Sequence, residues 1–213
     1  MNRVTDYSSL KGPGNPLLKF PSLYDSALNE FSSRSYDEAS LNEIIRNSGI
    51  SKGSVYHHFG DKFGLLLSLL DILVAKKTEF FIPLLSKHDP AAGIFETLKG
   101  ISHATMDYMF EQPLNYKLSL RLLEYDQKLM NRIMEYFPFD FNKGFSDVVR
   151  NAVRSGQIRN DLPEEFVIKL IEVLFSNINN IMTSKQPQEV HIAIDRVMDV
   201  LENGIAKNER RTK

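Results

Sequence analysis

From Leu17 onward, apolar residues recur at helical spacing in almost every segment, and no segment shows the sustained alternation of a β-strand. Proline, glycine and Asn/Asp positions divide this pattern into about nine segments. The chain of 213 residues contains no cysteine, so neither disulfides nor thiolate metal sites hold it together. The sequence therefore predicts an all-α fold of about nine helices.

Two of the predicted helices are short and lie close together in the chain. Ser40 and Glu43 form a capping box at the start of the first, in which each side chain accepts a hydrogen bond from the other residue's backbone N–H. Gly49 ends that helix, and Ser51 caps a second one over 52–59. This arrangement is typical of a helix–turn–helix, in which the second helix enters the major groove of DNA.

The second helix has an inner and an outer face. The inner face is expected to complete a three-helix core with a helix over 21–33, through Ala27, Leu28, Phe31, Ile44, Ile50, Val55 and Phe59. The outward residues are small, hydroxylic, aromatic or weakly basic, which suits contacts to phosphates and base edges: Lys52, Gly53, Ser54, Tyr56, His57 and His58. For Tyr56 a half-buried core position is the alternative, and one of the two histidines can shield the core because adjacent helical residues point about 100° apart.

The run SKGSVYHHFGDK at 51–62, preceded by Phe31 and by Ser40-Leu41-x-Glu43-Ile44, resembles the N-terminal DNA-binding domain of TetR-family transcriptional regulators. The alternative for the whole segment is a helical hairpin inside a helical bundle. The resemblance covers about residues 23–70. It implies a three-helix DNA-binding domain followed by a larger helical domain for ligand binding and dimerisation. By position, it implies DNA contacts from Ser40, Ser51, Lys52, Gly53, Ser54, Tyr56, His57 and Lys62.

The N-terminal residues 1–16 contain a Gly, Pro and Asn run at 12–16 that disfavours regular structure. They are predicted to form a flexible arm, and Arg3 and Lys11 give that arm an alternative role in a DNA minor groove. The remaining predicted divisions are a helix–turn–helix DNA-binding domain, a helical regulatory and dimerisation domain, and a basic tail, over 17–62, 63–207 and 208–213.

Aromatic and methionine residues concentrate in the middle of the chain. The chain has 8 Tyr and 14 Phe residues, and twelve of these aromatic residues lie between Phe80 and Phe145. Four of the seven methionines lie in the same span. Such side chains line pockets for apolar ligands, although any single one is more commonly part of a core. A small apolar or amphipathic effector is expected, mainly from the family resemblance. The candidate ligand-binding residues are Phe81, His103, Met106, Asp107, Phe110, Arg121, Tyr125, Phe145 and Phe175.

No metal or other cofactor is predicted. His103 and Asp107 lie one helical turn apart, as do His191 and Asp195, but neither pair has an identifiable third ligand. Surface hydrogen-bonded pairs on each helix are the favoured interpretation.

The last two predicted helices, over 161–183 and 187–207, carry apolar residues at spacings of three and four. Such seams pack near-parallel helices. The seam residues are Val167, Ile171, Leu174 and Ile178 on the first helix, and Val190, Ile194, Val197 and Leu201 on the second. A second apolar row on the first helix is formed by Phe166, Leu170, Phe175 and Met182. One row can pack on the chain's own core, so the other predicts a homodimer, which is also how the family usually associates; a wholly internal bundle is the alternative.

The formal charge is balanced, with 26 Lys and Arg against 27 Asp and Glu, but residues 46–62 carry three basic residues, two histidines and one acid. Few phosphates can be neutralised per subunit, so the salt dependence of DNA binding should be shallow and affinity should rely on the dimer. The N-terminus has no apolar signal region, and Phe63–Leu70, the most apolar stretch, is far shorter than the ~20 residues of a transmembrane helix. A cytoplasmic protein is expected.

The sequence has no Gly-rich phosphate loop, nucleophile elbow or His/carboxylate cluster at metal spacing, so an enzyme is not expected. The predicted function is a homodimeric, ligand-responsive transcriptional repressor that binds a palindromic operator in double-stranded DNA and is released by its effector. The alternative is a DNA-binding structural or interaction protein of the same fold without an effector.

Overall fold

The computed structural model describes residues 7–86, 93–137, 141–176 and 187–206. Within these ranges the chain forms ten α-helices and no strand, which confirms the all-α fold class. No helix among the described residues has the length and apolarity that a bilayer crossing requires. The helices are α1 (Pro21–Ser33), α2 (Leu41–Ser48), α3 (Lys52–Phe59), α4 (Lys62–Ser86), α5 (Ile94–Glu111), α6 (Pro113–Leu123), α7 (Gln127–Met134), α8 (Phe141–Arg154), α9 (Glu164–Ser176) and α10 (Pro187–Ile205).

The chain divides into two compact units, each with its own hydrophobic core. Unit 1 comprises residues 1–83 and 112–139, and unit 2 comprises residues 84–111 and 140–213. Unit 1 therefore contains α1 to α3, most of α4, α6 and α7, whereas unit 2 contains α5 and α8 to α10. These are units of packing, and the functional domain limits at 17–62 and 63–207 stay a prediction.

The core of unit 1 begins with the predicted three-helix arrangement. Phe31 of α1, Ile44 of α2 and Phe59 of α3 are buried in one cluster, which confirms that prediction. The cluster continues into α4, where Leu66 and Leu69 have no exposed surface. Consequently α4 is packed against the same core as the helix–turn–helix, and a shift of its first turns would disturb α3 directly.

Local capping explains where α2 and α3 begin and end. The Ser40 hydroxyl accepts from the backbone N–H of Glu43 at 3.3 Å, and the Ser51 hydroxyl accepts from that of Ser54 at 3.2 Å. Gly49, with φ of 69°, takes the left-handed conformation that ends α2. The predicted return bond of the capping box was wrong: the N–H of Ser40 donates to Glu30 Oε1 at 2.9 Å, because Glu43 is paired with Arg46.

Some predicted helix limits differ from the observed ones. α4 continues through Pro83 to Ser86 instead of ending at about Phe81, since a proline removes one hydrogen bond without terminating a helix by itself. The helical segment predicted over 127–155, with a break expected at Pro138, is observed as two helices, because α7 ends at Met134 and α8 begins at Phe141. The predicted start of α5 at Asp89 and the predicted end of α9 at Thr183 lie outside the described residues.

The N-terminal segment differs most from its prediction. Residues 8–19 form three short turns of 3-10 helix, Ser8–Leu10, Gly12–Gly14 and Pro16–Lys19, where the sequence predicted a flexible arm over residues 1–16. Four side chains of this segment are buried, namely Tyr7, Leu10, Asn15 and Leu17. Glycine and proline prevent a long helix here, but they are compatible with single turns that pack against other elements.

Unit 2 is built around α5 and α10, which pack along each other, and around α8 and α9. Its core contains Leu98 from α5, Val149 from α8, Val167 and Ile171 from α9, and Ile194 from α10. Each of these helices therefore directs one apolar row inward.

Candidate functional site

The exposed side of α3 is formed by polar and small residues. Val55 and Phe59 are buried beneath it, so the helix is fixed to the core along one side. Tyr56 has 44% of its surface exposed, which excludes the core position considered for it from the sequence. The Lys52 ammonium lies 5.7 Å from the centroid of the Tyr56 ring, a cation–π distance. A Cβ added to Gly53 would meet no atom within 4 Å, so the backbone is open to close approach here.

The two histidines of α3 have different surroundings. His57 is exposed, whereas His58 is half-buried with its ring 5.3 Å from that of Phe20. His57 is therefore the histidine that a ligand approaching the outer face of α3 would meet. His58 shields the junction between α3 and the start of α1.

Ser40 and Lys62, predicted as phosphate contacts, lie at the ends of helices in unit 1. The Ser40 hydroxyl caps α2, as described above. The Lys62 ammonium, at the start of α4, instead donates to the backbone carbonyls of Tyr36, Asp37 and Ala39 at 2.6, 3.2 and 2.9 Å. These three acceptors match the three hydrogens of an ammonium group, so Lys62 has no donor left for a phosphate.

The sequence of this region matches a known family. Residues 23–69 match the family model described as bacterial regulatory proteins of the tetR family, and this range contains α2, α3 and all eight predicted DNA contacts. Over 185 residues the chain is 26% identical to the HTH-type transcriptional repressor AcnR of Corynebacterium glutamicum, spanning 84% of this chain and 88% of AcnR. These matches support a TetR-family transcriptional regulator.

Two solved structures share the fold of this chain. CprB from Streptomyces coelicolor, in complex with its biological operator sequence, has a TM-score of 0.64 at 16% identity, covering 91% of this chain and 92% of CprB. FadR from Bacillus subtilis, in complex with stearoyl-CoA, has a TM-score of 0.66 at 16% identity, covering 87% of this chain and 99% of FadR. At these identities the likeness concerns the fold.

The candidate ligand-binding residues of the regulator are divided between the two units. Phe81, Arg121 and Tyr125 belong to unit 1, whereas the other six belong to unit 2: His103, Met106, Asp107, Phe110, Phe145 and Phe175. The side chains of Phe81, Phe145 and Phe175 lie outside the described ones. Arg121 pairs with Glu124 near the surface. Neither unit therefore contains all nine predicted ligand-binding residues.

Tyr125 is the most distinctive candidate in unit 1. Its ring lies 6.2 Å from that of Tyr36, and its hydroxyl oxygen is buried without a hydrogen-bond partner among the described residues. Burial raises the pKa of Tyr125 to about 12 and that of Tyr36 to about 12. Both phenols are therefore neutral donors at physiological pH.

In unit 2, the four residues of the two predicted His/Asp pairs exchange partners and pair between helices, so the prediction of a pair along each helix was wrong. His103 of α5 lies 3.0 Å from Asp195 of α10, and His191 of α10 lies 2.8 Å from Asp107 of α5. The two imidazole rings are 4.4 Å apart, and Lys99 contacts Asp195 at 3.2 Å. Among the described residues, no three His, Asp or Glu side chains have an arrangement that could hold a metal ion. The sequence pattern missed this pairing because it shows spacing within a helix and not between helices.

Lys77 of α4 was not singled out from the sequence. Its ammonium is half-buried and donates to the Ser119 hydroxyl of α6 at 3.1 Å, and burial lowers its pKa. Among the residues that the structure describes, no carboxylate pairs with it. A signal was present, because Lys77 follows Leu73 and Leu66 on the apolar side of α4 at helical spacing.

The predicted dimerisation residues are mostly internal. Six of them are buried in the core of unit 2, namely Val167, Ile171, Val190, Ile194, Val197 and Leu201. Leu174 is half-buried against that core, and Ile178 lies outside the described residues. Side chains with almost no exposed surface cannot contact a second chain, so this row packs on the core of unit 2.

The outward rows of α9 and α10 also carry large apolar side chains. Phe166 and Val173 of α9 are 53% and 47% exposed, and Ile192 and Val200 of α10 are 42% and 68% exposed. Unit 2 thus presents apolar surface on the same two helices whose inner rows form its core.

Proposed function

We propose that this regulator is a homodimeric, ligand-responsive repressor that binds a near-palindromic operator in double-stranded DNA. The observation that carries the proposal is the outer face of α3, where small, hydroxylic and basic residues are exposed on a helix held by a buried core. This is the arrangement that a recognition helix needs, because it must enter the major groove without losing its support.

The residues of α3 and of the two caps have complementary roles in the proposed contact. Gly53 allows close backbone approach, while Ser54 and Tyr56 supply hydroxyl donors. Lys52 and His57 supply nitrogen donors for phosphates or base edges. Ser40 and Ser51 cap the starts of α2 and α3, and backbone N–H groups at helix N-termini also favour phosphate. Lys62 is left out of this set because three carbonyls occupy its ammonium.

Dimerisation through α9 and α10 is proposed on the outward rows. Phe166, Val173, Ile192 and Val200 give two copies apolar surface to bury, and large exposed apolar side chains are typical of interfaces. A two-fold dimer presents its two recognition helices to major grooves roughly 34–36 Å apart, so the operator should be close to a palindrome.

A small apolar or amphipathic effector is proposed to release the operator. The FadR neighbour, which carries stearoyl-CoA, supports a ligand of this kind. α4 starts shortly after α3 ends and shares its core, so an effector that favours another position of α4 also changes α3. Effector and DNA then oppose each other, and the coupling is reciprocal.

The experiment that tests DNA recognition starts from a random double-stranded library. The wild-type protein selects its operator from this library, and mobility shift measures affinity for the selected duplex. We expect Tyr56→Ala and Lys52→Met to lower that affinity about tenfold each, as for lost phosphate or base contacts. Lys128→Met is the matched control, because Lys128 is exposed on α7 of the same unit. If neither α3 variant differs from this control, the assignment of α3 is wrong.

The effector is tested by release of the same complex. Stearoyl-CoA is the first probe, and an acyl chain without the coenzyme is the second. Either probe supports a ligand that acts away from α3 if it releases the wild-type protein and the Tyr56→Phe variant from DNA at the same concentration. A fully packed protein that no apolar or amphipathic compound displaces from DNA would favour the alternative without an effector.

A further inference from the structure

The N-terminal segment at residues 7–17, here called the strap, is attached to α4 along its first ten residues. The Gly12 N–H and the Asn15 amide donate to Asp71 Oδ2 at 2.9 and 3.0 Å. The Asn15 amide also donates to the Ser68 carbonyl at 2.8 Å, and Asn15 is buried. A buried amide with two partners on α4 fixes a loop far more firmly than surface contacts do.

The other end of the strap reaches the junction between α3 and α4. The Tyr7 hydroxyl donates to Asp61 Oδ2 at 2.6 Å, while Asp61 Oδ1 accepts from the Gly64 N–H at 2.9 Å. Asp61 therefore caps α4 with one oxygen and holds the strap with the other. Only Gly60 and Asp61 separate the last residue of α3 from the first of α4.

The junction is too tight to tolerate displacement. A Cβ placed on Gly64 would lie 1.9 Å from the Phe59 carbonyl oxygen and 2.9 Å from Cε1 of Tyr7. The end of α3, the start of α4 and the Tyr7 ring therefore meet at one point, and only glycine fits there. Gly60, with φ of 75°, is a permissive link that would not by itself fix the angle between the two helices.

The far side of the strap contacts the residues after α7. The Tyr7 ring packs edge-on against Phe63 and Tyr136, with centroids 5.5 and 5.6 Å away. The Lys11 ammonium donates to the Tyr136 carbonyl and lies 5.5 Å from the Phe137 ring. The strap thus lies between α4 and the end of α7 within unit 1, and the 3-10 turn Pro16–Lys19 leads from it towards α1.

We propose that the strap positions the recognition helix, and that Tyr7 is its positioning residue, acting through Asp61. By fixing the junction between α3 and α4, the strap holds α3 in the orientation that the operator requires. Orientation fixed before binding lowers the entropy lost on complex formation, so the strap contributes to affinity without contacting DNA. This inference rests on the proposed function, in which α3 reads the operator.

The test is Tyr7→Phe in the full chain, which keeps the ring contacts and removes only the hydroxyl. A hydrogen bond to a carboxylate is among the stronger ones, so we expect affinity for the selected operator to fall about fivefold. Affinity for a scrambled duplex of the same length should change less than about twofold, because non-specific binding depends on charge and not on helix orientation. Ser9→Ala, at an exposed position of the same segment, is the control.

A second variant tests whether Tyr7 acts through Asp61. Asp61→Asn keeps an oxygen to cap α4 but weakens the bond from Tyr7. The double variant, Tyr7→Phe with Asp61→Asn, should therefore lose no more operator affinity than the more strongly affected single variant. All affinities are measured well below the midpoint of thermal unfolding, where every variant is folded.

The outcomes are distinct. A wild type that selects no duplex overturns the proposed function and this inference together. A wild type that binds its operator, with Tyr7→Phe binding equally well, overturns only the strap. Equal losses on operator and scrambled duplex also overturn it, because they would reflect general damage instead of a changed orientation.

Discussion

The Lys62 ammonium donates to the Tyr36 carbonyl at 2.6 Å and lies 4.5 Å from the centroid of the same residue's ring. The carbonyls of Asp37 and Ala39 complete its hydrogen bonds. One lysine at the start of α4 therefore satisfies the backbone of the turn between α1 and α2. Burial among these groups lowers the pKa of Lys62.

Lys62→Met is expected to destabilise the protein more than it weakens DNA binding. Loss of three hydrogen bonds from a charged donor to carbonyls should lower the free energy of unfolding by about 1–3 kcal/mol, with the lower end favoured by partial solvent access. Urea unfolding measures this change, and mobility shift on the selected operator measures affinity. Unchanged stability with a tenfold loss of affinity would instead support the phosphate contact implied by the family resemblance.

The helix–turn–helix was predictable because its signals are local. Ser40 and Ser51 lie at caps whose hydrogen bonds join residues three positions apart, Gly49 ends α2 in the left-handed conformation, and Val55 and Phe59 follow the helical period. The family signature in the same segment added the outward residues. None of these signals depends on the rest of the chain.

The features that escaped prediction depend on tertiary contacts. Gly12 and Asn15 gave a correct signal against a long helix, but their bonds to Asp71 join residues more than fifty positions apart. Periodicity correctly placed an apolar row through Val167 and Ile171, yet a helix with two apolar rows does not indicate which row faces its own core. Lys62 matched the family position, but its ammonium donates to carbonyls of the turn between α1 and α2, and the family motif does not describe that turn.

Replacing the outward apolar residues of α9 and α10 should produce monomers. Phe166→Glu with Val200→Glu places charges on the proposed interface while leaving the core of unit 2 intact. We expect the sedimentation mass to fall to that of one chain, with helical content retained and operator affinity reduced at least about tenfold through lost bivalency. Ile194→Glu is the contrasting variant, because a charge in the core should unfold unit 2. A dimer that survives the double change would place the interface elsewhere.

Lys77→Met should stabilise the protein at neutral pH. The wild-type ammonium is charged in both states there, and its partial burial without a carboxylate costs folding free energy, whereas methionine keeps a similar apolar length. After allowance for solvent screening, we expect a gain of about 1 kcal/mol in urea unfolding.

The pH dependence of this gain has a defined sign. Because the pKa of Lys77 is lowered in the fold, the unfolded chain holds more protons in the window just below about 10.5, and wild-type stability rises with pH through it. The advantage of Lys77→Met over the wild type should therefore shrink as pH rises toward that value. A constant advantage would show that the ammonium is not desolvated.

Alkaline pH should destabilise the regulator through Tyr36 and Tyr125, whose pKa values burial raises to about 12. An unfolded tyrosine ionises near pH 10, so between about 10 and 12 the folded chain holds more protons and its stability falls as pH rises. Each phenol contributes at most about 1.4 kcal/mol per pH unit, and less where solvent reaches it.

The Tyr125→Phe variant isolates one of the two phenols, because the Tyr125 hydroxyl has no partner among the described residues and its loss should cost little at neutral pH. We expect the variant to match the wild type in urea unfolding at neutral pH and to be the more stable protein at about pH 11. The comparison cancels the lysines that titrate in the same range, and equal stability of both proteins at high pH would show that the Tyr125 phenol ionises as freely in the fold as in the unfolded chain.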